Sequence, residues 1–180
     1  MGRLIGSVGL APGSDSGFDL DTKGQIHGYT STQYAIDVGN DTEILVCDSG
    51  EASGLKYTAN TTSFMIACSD EDTAIDSTGT KVTFRMPYAF TVTAVRASLT
   101  TAGTGANLFT VDISEAASSI LSTKITIDAT ETTSTTATTP PVISDSALAD
   151  DSQITIDVDQ LDSGGVAAGL KVYIIGYRVV

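Results

Sequence analysis

Residues 152–161, SQITIDVDQL, place Ile154, Ile156 and Val158 in strict alternation with Thr155, Asp157 and Asp159. Successive side chains of a strand point to opposite faces, so a period of two predicts one apolar and one wetted face. The other apolar runs of the chain are equally short and are set apart by turn residues. Only 17% of the residues are charged, and Thr, Ser and Gly supply much of the remaining polarity. Threonine is β-branched and fits a pleated, half-buried surface, which directs the chain to an all-β fold.

From residue 62 onward the strands are long enough to share a core. SFMIAC, TKVTFRM, YAFTVTAVRASLTT, NLFTVDI, SSILSTKITID, SQITIDVDQL and GLKVYIIGYRVV follow one another with turns such as SDEDTAIDSTG, TAGTGAN and GGVAAG between them. Seven or eight strands at even spacing predict a β-sandwich or jelly-roll domain over residues 62–180. Within YAFTVTAVRASLTT, Phe90, Val92 and Ala94 are apolar on even positions, and Val95, Ala97 and Leu99 on odd ones. That one-residue slip predicts a bulge between Ala94 and Val95. The Thr-rich stretch ending in Pro140-Pro141 is read as an edge strand or long loop. A short connecting helix, capped by Ser or Asp, is predicted over residues 144–151.

Residues 1–61 have a different texture. GRLIGSVGL, GQIHGY, YAIDVG and EILVCDSG are apolar pairs or short runs among glycines and turn residues, each too small to bury its own side chains. This segment is read as an extended arm of short strands that buries its apolar residues only in an oligomer. The proposed contacts are Ile26, Tyr29, Tyr34, Ile36 and Val38, with Gly24, Gly28 and Gly39 allowing close crossings. Leu4, Ile5, Val8 and Leu10 have no partner strand predicted in their own chain and are assigned to anchoring on a partner protein.

The formal charge of −13, with only nine Lys and Arg, excludes several functions. Phosphate backbones and anionic membranes require clustered cations, and here they are scattered, so neither nucleic acid nor membrane is an expected partner. No run approaches the ~18 apolar residues of a spanning helix, and the amino-terminal run is too short for a signal peptide. The chain is therefore expected to be made in a cytoplasm and to stay soluble. Cys47 and Cys68 are read as small buried side chains, a disulfide being the alternative.

Catalytic chemistry finds little support. His27 is the sole histidine and no nucleophile motif surrounds any serine. Asp157 and Asp159 share a strand face, and Asp150, Asp151 and Asp162 are loop carboxylates of the kind Ca²⁺ uses, but no calcium-loop spacing occurs. A solvated sheet face is the preferred reading, with Ca²⁺ as the alternative. No Trp is present to floor a deep sugar groove, and no phosphate loop occurs. The chain is expected to be no enzyme and to carry neither cofactor nor metal.

Thr22-Lys23-Gly24, Val38-Gly39, Asp41, Leu45, Asp48-Ser49 and Gly54-Leu55-Lys56 stand in the order of a pattern T-K-G, V-G-T-D-G, D-S, G-L-K-W. Tyr57 takes the place of Trp, and Thr42 that of the turn glycine. In these residues the chain resembles a module of tail-fibre and other surface proteins of tailed bacteriophages. The remainder, from FRMPYAF to GLKVYIIGYR, is similar to an all-β domain of phage structural proteins. The resemblance implies a virion structural protein, assembled in the host cytoplasm and carried on the particle surface. Its implied partners are itself, as a homotrimer, and the major capsid protein or other virion proteins. A capsid decoration (cement) or head-fibre protein is favoured by the short chain. A tail-fibre or tail-tip component that binds a host receptor is the alternative, and a carbohydrate-active tail enzyme a third.

Overall fold

A computed structural model describes residues 26–29, 33–40 and 42–179. The chain divides into two compact units, the first ending at Thr58 and the second beginning at Ala59. Among the described residues strands dominate both.

In the first unit, β1 (Ile26–Tyr29) and β2 (Gln33–Ile36) form an antiparallel pair with Ile26 opposite Ile36. β3 (Glu43–Cys47) and β4 (Leu55–Ala59) form a second two-stranded sheet. Two-stranded ribbons bury little, and neither Ile26 nor any of residues 36–40 and 42–58 is fully buried.

The second unit contains β5 (Thr62–Ala67), β6 (Gly79–Arg85), β7 (Phe90–Ser98), β8 (Phe109–Glu115), β9 (Ser118–Ser119), β10 (Leu121–Thr123), β11 (Ile125–Ile127), β12 (Val142–Ile143), β13 (Ala147–Leu148), β14 (Gln153–Gln160) and β15 (Lys171–Arg178). One sheet runs β5-β15-β7-β13 and the other β6-β14-β8-β11, with β9 also on β8 and a small β10-β12 pair. Along the eight principal strands the chain changes sheet at every step except β8 to β11, which pair with each other, and the first strand pairs with the last. This is the jelly roll, a double Greek key closed by two facing sheets.

Both sheets contribute to one core. Ile154, Ile156 and Val158 of β14, Val111 and Ile113 of β8, and Val172 and Ile174 of β15 are all buried. The alternation read in residues 152–161 thus separates core from solvent: Thr155 and Asp157 are part-buried and Asp159 is exposed. Phe64 and Phe90 meet edge to face at 5.1 Å, and the Arg178 guanidinium lies 4.9 Å from the centre of the Tyr88 ring.

The parity slip in β7 is a bulge, placed at Thr93. Ile175 pairs with Ala94 and Gly176 with Val92, so Thr93 is the extra residue. Ala94 consequently leaves the inward set, whereas Val95 and Ala97 join it. Gly176 sits opposite the bulge, where a Cβ would lie 1.9 Å from the Thr91 carbonyl oxygen and 2.8 Å from the Phe90 ring. The Phe90 ring fills the space a side chain would need.

Two expectations are corrected. Residues 144–151 form no helix: Asp145 accepts the Ala147 N–H at 3.1 Å, and Ala147–Leu148 then pairs with Phe90–Thr91 as β13. An edge position on β7 rewards an extended backbone more than an isolated helical turn, whose nucleation is costly. Cys47, on a two-stranded sheet, is exposed, whereas Cys68 is buried; both thiols are free.

The Thr-rich stretch is a loop with one 3₁₀ turn, Ser134–Thr136. It covers the part of the β7 edge that β13 leaves open. The buried Ser134 hydroxyl accepts the Ala97 N–H at 2.9 Å, and Thr132 accepts that of Leu99 at 2.9 Å. Proline cannot continue a ladder, but a loop can satisfy an edge through side chains and single bonds.

Candidate functional site

Two places bear on function: the first unit, and a groove on the outer face of the β5-β15-β7-β13 sheet.

The motif residues of the first unit build the β3–β4 hairpin. Asp48 Oδ1 accepts the Gly50 N–H at 2.9 Å, and the Asp48 N–H donates to the Gly54 carbonyl at 2.8 Å. Gly54 has φ +70°, and Lys56 Nζ lies 2.8 Å from Asp48 Oδ2. The Lys56 ammonium and the Gly50 N–H hold the Asp48 carboxyl below its usual range, and Asp48 raises Lys56 in turn. Asp48-Ser49 and Gly54-Leu55-Lys56 therefore act as a self-contained turn. Thr42 adopts φ +73°.

The residues predicted to make contacts fall differently. Leu4, Ile5, Val8 and Leu10 lie outside the described residues. Ile26 and Ile36 are paired across β1–β2, and Tyr34 is opposite Gly28, whereas Tyr29 is opposite Gln33 at the alternate register position. Ile26 and Val38 are exposed, Val38 by 54%, and Ile36 is half-buried. Ile44 is exposed as well and was not singled out by sequence; its mixed-parity neighbours Leu45 and Val46 hide which face is free. Gly39, assigned to a crossing between chains, packs on Tyr57 of its own chain.

The groove has a volume of ≈ 250 Å³ and is lined by Ser63, Arg96, Thr133, Thr135, Tyr173 and Ile175, with Ala97 and Ser98 at its base. Register creates it: Tyr173 stands between Met65 of β5 and Arg96 of β7. Ile175 stands between Ser63 and Ala94 in the next row. The 3₁₀ turn anchored by Ser134 raises Thr133 and Thr135 as a wall. In sequence, only the outward parity of Arg96 after the slip hints at this place.

Of the carboxylates considered for Ca²⁺, Asp157, Asp159 and Asp162 are engaged within the fold, Asp151 lies 3.7 Å from Arg85, and Asp150 is exposed. Asp157 accepts from the Thr80 and Thr155 hydroxyls, and Asp159 pairs with Lys124. Lys124 also lies 3.1 Å from the buried Asp112. Asp162 is buried and accepts backbone N–H groups of Thr104, Val166 and Ala167. Among the described residues, no group of three or more His, Cys, Asp or Glu is placed to hold a metal.

No family model and no curated protein matches the chain.

Proposed function

We propose that this chain is a structural protein of a phage particle, a homotrimer displayed on the capsid surface as a decoration or head-fibre protein. The observation that carries the reading is the contrast between the two units. The second has a complete core, whereas in the first no residue of 36–40 and 42–58 is fully buried and Ile26, Val38 and Ile44 are exposed. Exposed apolar side chains on strands are a pairing hazard unless another chain covers them. Three copies of an arm supply such cover around an axis, and residues 1–20 supply the grip on the shell. The jelly roll is common among viral capsid proteins, an argument by analogy only.

Light scattering together with imaging of labelled particles tests this. The expected result is a trimer mass and density on the shell. A monomer mass overturns the trimer, and density at the tail favours the second reading, a receptor-binding tail component. The concave groove around Arg96 is the feature that favours that alternative.

A further inference from the structure

We propose that the groove on the outer face of the β5-β15-β7-β13 sheet is a binding site for a carboxylate-bearing sugar residue. The groove lies wholly within the second unit and does not depend on where on a particle the chain sits.

Arg96 is the starting point. The other described cations are engaged: Lys56 with Asp48, Arg85 with Asp151, Lys124 with Asp112 and Asp159, and Lys171 with Glu71. Lys81 donates to the Ser77 hydroxyl, and Arg178 lies over Tyr88. Among the described residues the Arg96 side chain has no ion pair, hydrogen bond or ring contact, although the chain carries 22 carboxylates. A planar guanidinium presents a fork of donors that fits a carboxylate in two parallel hydrogen bonds.

The surroundings specify the rest of the ligand. Tyr173, beside Arg96 in the register, is half-buried and offers an apolar ring with a polar tip. Ser63 makes no hydrogen bond to another described residue, and Thr133 and Thr135 line the opposite wall. The Ser63 hydroxyl and the mutually hydrogen-bonded Thr133 and Thr135 hydroxyls, with the Tyr173 ring in the same lining, suit a polyhydroxylated ring, and the Arg96 cation selects an acidic one. At ≈ 250 Å³ the groove lies below the about 300–1,000 Å³ of pockets for drug-sized ligands, which matches a single ring.

The site is also pre-formed. Ser134 ties the Thr133–Thr135 wall to Ala97 of β7, so binding does not have to order the wall. A flat contact with a second copy of the chain would need no such concavity, and it is treated as an outcome of the test.

The test uses the full chain and saturation-transfer NMR. The probes are glucuronate, galacturonate and N-acetylneuraminate, with glucose, galactose and acetate as the neutral and carboxylate-only controls. At least one sugar acid is expected to bind with a Kd of about 1 mM, a weak affinity suited to a multivalent particle. Its controls should bind at least about tenfold more weakly. Arg96→Gln should reduce the acid to the level of its neutral parent. Tyr173→Ala should weaken every sugar, with the unfolding midpoint unchanged for Arg96→Gln because the side chain is exposed. An oligomer of the preferred acid that binds more tightly identifies a polysaccharide as the source, and equal affinity identifies the free acid. The proposal fails if no acid exceeds its controls, or if Arg96→Gln leaves binding unchanged. It also fails if Arg96→Gln alters the oligomer mass, because the groove is then a contact between copies.

Discussion

The ring of Tyr57 packs directly on Gly39, so closely that a Cβ at residue 39 would lie 2.3 Å from Tyr57 Cδ1 and 2.6 Å from Cγ. These residues stand at the positions that resemble V-G and G-L-K-W, and their contact joins the two. The glycine makes room for the aromatic ring that ends the second. Gly39→Ala is expected to displace the ring and loosen the β3–β4 hairpin. Hydrogen exchange should accelerate at the amides of β3 and β4 and remain unchanged in β14 and β15. Unaltered exchange in the hairpin would show that the contact contributes nothing.

Thr42 holds φ +73°, a conformation that costs a β-branched residue on the order of 1–2 kcal/mol. Thr42→Gly removes that strain and adds some unfolded-state entropy, leaving a net gain of roughly 0.5 kcal/mol in the first unit. Slower exchange at Glu43, whose N–H bonds the Asn40 carbonyl at 3.1 Å, is the expected readout. Faster exchange there would contradict it.

Asp162 joins the loop before β8 to the loop before β15. Burial by itself would raise its carboxyl, but the N–H groups of Thr104, Val166, Ala167 and Gly165 outweigh burial and hold it below the ordinary carboxylate range. A depressed folded value contributes stability above the unfolded value near 3.9, and that contribution is lost as pH falls through the folded value. Asp162→Asn should cost about 2 kcal/mol at pH 7, because an amide cannot accept at both positions. The gap from the unaltered protein should narrow as unfolding is measured from pH 5 down to pH 2. A gap independent of pH would rule out the charge as the cause.

Lys124 lies between Asp112, which is 8% exposed, and Asp159. Lys124→Met strands the Asp112 carboxylate, although Ser119 and the Ile113 N–H still donate to it. The expected loss is about 2 kcal/mol, below the ~3–5 kcal/mol of a fully buried pair, because Lys124 itself remains 42% exposed. Asp159 and Asp112 raise the Lys124 ammonium above its ordinary value. The contribution of the pair is therefore complete at neutral pH and fades only as pH rises through that raised value. Denaturant titration at pH 7 measures the loss, and a change under about 0.5 kcal/mol would place the pair among ordinary surface contacts.

Burial pushes the Cys68 thiol up to about 12, and its Sγ lies 3.4 Å from the Ile66 carbonyl. Thiolate is the reactive form, so Cys68 should be inert in the folded protein. In a Cys47→Ser variant, a thiol reagent should titrate no group under native conditions and one in denaturant. A native-state reaction would mean that the β5 end of the core opens.

The strands of the second unit were legible because their information is local. The alternation of Ile154, Ile156 and Val158, and even the slip before Val95, follow from which face of a strand meets water. Asp48, Gly54 and Lys56 stood out in the sequence only through a resemblance; the hairpin they close was not read from it, although turn chemistry acts over a few residues. What tertiary structure alone decided depends on register between distant strands. The extended form of Ala147–Leu148 exists because β7 has an edge to pair, which no local propensity for residues 144–151 reports. The groove exists because β15 brings Tyr173 beside Arg96 and Ser134 pins a loop above them. Side chains far apart in the chain become neighbours only when the sheet order is set, and sheet order is fixed by how all the apolar faces close on one core.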